Sequence, residues 1–168
     1  MRFLFIFVIV IFNGFIYSQT TFKMGHINSD ELIAAMPEAD TAKVKFEKYV
    51  RELQNQLAML QTELDTKYKD YNNKKNTYSK TILQSKESEL QDLNDRIQRF
   101  KYVVQEDIEK KRVEMFQPIL DKVKKVITEV GKENHFIYIF DAGEGGIWYD
   151  SVTSIDITPL VKKKLGIK

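Results

Sequence analysis

Residues 38–117 read EADTAKVKFEKYVRELQNQLAMLQTELDTKYKDYNNKKNTYSKTILQSKESELQDLNDRIQRFKYVVQEDIEKKRVEMFQ, and Pro37 and Pro118 bound them. These 80 residues contain no glycine, proline or cysteine. Gly and Pro are the usual punctuation of helices. A stretch this long without them, rich in Lys, Glu, Gln and Leu, predicts helix nearly throughout. A single straight rod of this length would span roughly 120 Å, and a hairpin half of that. Either shape suits holding or spanning something and is a poor home for a catalytic pocket.

The flanks decide between rod and hairpin. Lys23-Met24-Gly25-His26-Ile27-Asn28 precedes the run as a short strand closed by polar residues. His135-Phe136-Ile137-Tyr138-Ile139-Phe140-Asp141 follows it as a stronger strand of aromatic and β-branched residues. Neither strand is stable alone in water. If they share a sheet, the ends of the helical run must meet and the run must double back. Its midpoint falls near Thr77 and Tyr78, inside an Asn-rich segment at residues 71–79 that resists helix. The expected tip of the hairpin lies there. The fold class is therefore α+β, mostly α: a small β body at the root and a long antiparallel coiled-coil arm.

Residues 3–16 are almost entirely apolar, with Arg2 before them and Ser18 after. The stretch is short of the roughly 20 residues a spanning helix needs. It fits a secretory signal peptide cut after Ser18, which implies export. Loss of Arg2 takes the 26 basic residues to 25, against 24 acidic ones. A near-neutral chain gives no reason to expect nucleic acid as a partner. With no cysteine, there is neither a disulfide nor thiol chemistry.

The descending arm carries apolar residues at Phe46, Val50, Leu53, Leu57, Leu60 and Leu64, in alternating steps of four and three. This is the heptad seam of a coiled coil. It is expected to continue, less cleanly, through Tyr68 and Tyr71. The ascending arm repeats it at Leu90, Leu93, Ile97, Phe100 and Val104, and a third stretch runs Phe116, Ile119, Val123, Val126, Val130. Pro118 predicts a kink or break at residues 116–118, where arm would give way to body. Met59, Tyr49, Tyr68 and Tyr102 lie off the main stripe and are candidates for contact with a client.

Between residues 66 and 86 there are six lysines (67, 69, 74, 75, 80 and 86) and one acid, Asp70. Tyr68, Tyr71 and Tyr78 are interleaved with them. The tip is thus a candidate contact surface, through Lys67, Lys69, Lys74, Lys75, Lys80, Tyr68, Tyr71 and Tyr78, for acidic clients or an anionic membrane surface. The plainer reading is a solvated turn.

Beyond the arm, residues 141–146 form a turn cluster, and Ile147-Trp148-Tyr149 is expected to pair back onto residues 136–140 as a hairpin. Thr158 as cap and Pro159 as first residue open a last helix that ends at Gly166. So small a body needs oligomerisation or staples. His26 and His135 could approach one another across the sheet, but lack the company of metal ligands. No nucleophile elbow, nucleotide fingerprint or zinc helix is present. No cofactor, metal site or catalytic residue is expected.

In order, the chain has a signal peptide, a short strand, a Pro-interrupted helix, a coiled hairpin, a β-hairpin and a terminal helix. It resembles the Skp/OmpH family of periplasmic chaperones. The resemblance rests on Gly25-His26-Ile27-Asn28-Ser29-Asp30, on residues 126–134 leading into Phe136-Ile137-Tyr138, and on Ile155-Asp156-Ile157-Thr158. It implies a tentacle-like homotrimer, with three arms around a cavity that holds unfolded outer-membrane proteins without ATP. The trimer body would use Ile27, Phe136, Ile137, Tyr138, Ile139, Phe140, Ile147 and Trp148. The parts would be a signal peptide (1–18), the body (19–38 and 118–168) and the arm (39–117). Familiar members are strongly basic; this chain is not, which confines any electrostatic capture to the tips. Two rivals are a structural envelope adaptor that binds a folded partner through its coiled coil and, more weakly, an enzyme with its site in the body.

Overall fold

The structure is a computed structural model that describes residues 22–143 and 153–167. Strand β1 (Met24–Ile27) leads into the short helix α1 (Ser29–Ala34). Asn28 caps α1, its side-chain oxygen accepting from the Glu31 N–H at 3.0 Å. Pro37 then opens helix α2 (Pro37–Lys74), where its missing N–H costs nothing and its fixed φ suits the first turn. A 3₁₀ turn at Lys75–Thr77 reverses the chain. Helix α3 (Lys80–Glu133), capped by Ser79, runs back the whole way. Strands β2 (Tyr138–Asp141) and β3 (Ile155–Asp156) and helix α4 (Thr158–Leu165) complete the body.

The expected hairpin is present, with its tip where the Asn-rich segment lies. At about 1.5 Å per residue, the 38 residues of α2 give an arm of roughly 57 Å. The expected break at Pro118 is absent. Helix α3 is continuous through it. Pro118 sits on the exposed face of the helix. The carbonyl its ring deprives of a partner belongs to exposed Glu114, which water can reach.

The three strands form a sheet in the order β2-β1-β3, with both outer strands parallel to β1. Met24 is opposite Tyr138 and His26 opposite Phe140. Ile155 and Asp156 pair with Gly25 and His26, an edge that the sequence pattern does not predict. A two-residue strand is too short for a periodicity signal. The expected strand at residues 147–149, with Ile147 and Trp148, lies outside the described residues. The last helix also differs by one position. Ile157 occupies the cap, and the Asp156 carboxylate accepts from the Thr158 N–H at 2.8 Å. Gly166 ends α4 in the left-handed conformation, as expected.

The core of the body joins Ile27, Leu32, Met36, Ala39, Ile119, Val123, Val130, Ile157 and Val161. It therefore draws on β1, α1, both roots of the arm, and α4. Gly25 permits the close approach of strand to core. A Cβ there would meet Ile157 Cγ2 and the Phe136 ring at 3.0 Å.

Helix α3 ends in a Schellman motif. The Phe136 N–H donates to the Gly131 carbonyl at 3.0 Å and the His135 N–H to the Lys132 carbonyl at 3.3 Å. His135 takes the left-handed position, φ 58°, that glycine usually fills. His135→Gly should therefore stabilise the protein by about 0.5–1 kcal/mol. The check is a shift in denaturant midpoint at unchanged slope and fixed protein concentration.

Candidate functional site

The arm is held by a seam whose pairs set one antiparallel register. Glu38 meets Lys122 at 2.5 Å at the root. Further out, Phe46 packs edge-on against Phe116, with ring centroids 5.9 Å apart. The Tyr49 hydroxyl donates to Asp107, which raises the Tyr49 pKa, the hydrogen bond being the largest cause. Nearer the tip, Lys67 pairs with Glu89, and the Tyr71 hydroxyl donates to Glu87 at 2.6 Å. Phe46, Val50, Leu53, Leu57, Leu60 and Leu64 are all half-buried, as a two-helix seam requires. On α3, Leu93 and Ile97 are buried, forming a small packed patch apart from the body.

Past Leu64, the heptad steps fall on Lys67 and Tyr71. Tyr68 is off the seam and 56% exposed. Met59 and Tyr102 are exposed as expected, at 72% and 74%. Tyr49 is instead engaged within the arm.

The tip is less basic than its lysines suggest. The return helix brings Glu87 and Glu89 beside them, two acids that lie just beyond the lysine-rich window in sequence. Glu89 accepts from both Lys67 and Lys86, the latter at 2.9 Å. Hydrogen bonds from these ammonium groups, with their charges, hold its pKa down from the ordinary 4.5 to about 2. Asp70 receives Lys74 at 2.6 Å, and this contact lowers its pKa. The Tyr78 hydroxyl also reaches Asp70, at 3.4 Å. Of the lysines singled out from sequence, Lys67 and Lys74 are thus held by carboxylates. Lys69, Lys75 and Lys80 have no ion pair among the described residues.

The body presents a sheet face away from its core. Met24, Tyr138 and Phe140 are exposed on it, and Tyr138 and Phe140 have their rings 6.0 Å apart. Phe136 and Ile139 pack against the core, Ile27 is within it, and Ile137 is 48% exposed. The sheet does not bring the two histidines together. His26 Nδ1 is 2.8 Å from Ser154 Oγ, while His135 closes α3. Among the described residues no group of metal-ligating side chains is assembled, and no helix is long and apolar enough to cross a membrane.

The Lys67–Glu89–Lys86 clasp makes a pH prediction. A depressed carboxylate pKa adds stability that is present above pH 4.5 and is lost as pH falls through about 2. Glu89→Gln should therefore speed amide exchange in the turns beside the tip at pH 7. Its difference from wild type should vanish toward pH 2, and added salt should shrink it, since the groups are exposed.

Comparison with known proteins agrees with this architecture. A protein of Caulobacter crescentus CB15, described as an OmpH-like outer membrane chaperone, has a solved structure that superposes with a TM-score of 0.72. The match covers 84% of this chain and 82% of that one at 17% identity, a likeness of fold. No curated protein matches the sequence. The family model described as "Outer membrane protein (OmpH-like)" matches residues 23–165. Since that span takes in the three strands described for the body, the whole arm and α4, the chain belongs to the OmpH-like family.

Proposed function

We propose that this protein is a periplasmic holdase chaperone that keeps unfolded outer-membrane proteins soluble without ATP. The observation that carries the reading is the hairpin of roughly 57 Å projecting from a small body, in a member of the OmpH-like family. The Caulobacter structure described as an outer membrane chaperone supports it. The working unit is a homotrimer, closed through the bodies, with three arms around a cavity. Support comes from the apolar sheet face of Met24, Tyr138 and Phe140, which a lone body leaves in water. Export would follow removal of residues 1–18. Along the arm, exposed Met59 and Tyr102 offer weak apolar contacts, and the tip offers charge. Many weak contacts acting together give avidity without sequence specificity. Nothing in this mechanism calls for a catalytic residue or cofactor.

The decisive assay dilutes a urea-unfolded β-barrel protein into buffer that lacks nucleotide. The mature protein should suppress aggregation at near-stoichiometric ratios. Unchecked aggregation would overturn the holdase reading and leave the envelope adaptor in place. Sedimentation should give a trimer, and a stable monomer at micromolar concentration would remove the cage.

The register of the seam allows the arm to be shortened cleanly. Lys67 opposite Glu89 and Tyr49 opposite Asp107 place residues 50–56 beside residues 100–106. Deleting both heptads keeps the seam pattern and the Leu93–Ile97 patch, and shortens the arm by roughly 10 Å. The variant should sediment as the wild type does and should protect large clients less well than small ones.

A further inference from the structure

The tip separates into two sets of side chains. Lys67, Lys74 and Lys86 are spent on Glu89 and Asp70, and Tyr71 on Glu87. Tyr68 and Asn72, in the last two turns of α2, and Lys75, the first residue of the 3₁₀ turn, follow at steps of four and three, with Lys69 beside Tyr68 in the chain. All four are exposed. Lys75, with φ −52° and ψ −34°, stands directly past the end of α2 and closes the row. None of the four makes a side-chain hydrogen bond or ion pair among the described residues. The row spans roughly 10 Å, about the length of three residues of extended chain.

We infer that the row Tyr68, Lys69, Asn72 and Lys75 is the part of the tip that holds a client, and that its occupant is an extended polypeptide segment bearing a carboxylate. The inference rests on the chaperone reading proposed above. A polypeptide uses every group in the row. The lysines take the carboxylate, the Asn72 amide both donates and accepts and so pairs with a peptide group, and the Tyr68 ring covers an apolar side chain. A lipid head-group layer would also meet the lysines through its phosphates, but a row about three residues of extended chain long, with one amide and one ring beside its charges, matches a strand of polypeptide more closely than a broad charged surface. The clasped lysines act differently. They add to the field that steers an acidic chain inward, but their ammonium groups are occupied.

The experiment compares two variants of the mature protein that remove equal charge. One is the row variant Tyr68→Ala, Lys69→Gln, Asn72→Ala, Lys75→Gln. The other is the clasp variant Lys67→Gln, Lys74→Gln. The probes are an unstructured peptide of alternating Glu and Phe, its Gln counterpart, and phosphatidylglycerol vesicles. Long-range steering depends on net charge, so both variants should slow association of the acidic peptide alike at low salt. Only the row variant should hasten its release, by about fivefold, and the effect should persist at physiological salt because contact is screened less than steering. The Gln peptide should leave the wild type faster than the acidic peptide does. Unaltered release from the row variant overturns the inference, as does equal hastening by the clasp variant. So does wild-type protein that takes up the vesicles and not the peptide. A wild type that holds no unfolded chain at all overturns the chaperone reading instead, so the two failures are distinct.

Discussion

The pairing of β1 with β2 is the constraint on which the rest depends. Met24 lies opposite Tyr138, so residues more than a hundred positions apart in sequence are neighbours in the sheet. Strands this short have no stability of their own. They exist because the arm returns, and the arm must return because they pair. Closing so long a loop would be costly for a flexible chain, though the cost grows only slowly with length. Here the intervening residues are two helices zipped along one seam, so each seam contact brings the strand ends closer. The body core then secures the closure. Ile119 and Val123 of α3 meet Met36 and Ala39 from the start of α2, above Ile27 of the sheet and Val161 of the last helix.

This arrangement separates two kinds of surface. The root is a small three-dimensional core, built from β1, α1, both roots of the arm and α4. The arm is nearly one-dimensional: a stripe of half-buried residues with only Leu93 and Ile97 fully covered. Its outer faces are free of structural duty and can carry contact groups. The tip shows how narrow that freedom is. Within a few turns, three lysines and four carboxylates are close enough to compete, and the pairing pattern determines which cations remain at the surface. For an OmpH-like chain that is nearly neutral, this local sorting counts for more than net charge.

Much of the fold could be read from residues in line. The absence of Gly and Pro from residues 38–117 predicts helix, and the 4-3 stripe from Phe46 to Leu64 predicts a seam, because both signals are local. The doubling back required one non-local idea, that isolated strands must pair. Signals failed where they depended on neighbours. Pro118 predicts a break when viewed alone; on an exposed face of a long helix, water satisfies the freed carbonyl and the helix continues. Tyr68 resembles a seam residue by hydrophobicity, yet strict heptad counting from Leu64 reaches Lys67, and the partner helix supplies Glu89 to receive it. Ile155 and Asp156 become a strand only because β1 has a free edge beside them.

By itself, the sequence determined the helical content, the hairpin with its tip near residue 77, and the stop of α4 at Gly166. These follow from backbone preferences and from a hydrophobic repeat that spans a few turns. Tertiary structure alone decided the parallel order β2-β1-β3, the left-handed His135 that ends α3, and the division of the tip lysines into clasped and exposed sets. The physical reason is the same in each case. Charge pairing and strand pairing depend on distances between segments remote in the chain, and those distances exist only after the arm has folded back on itself.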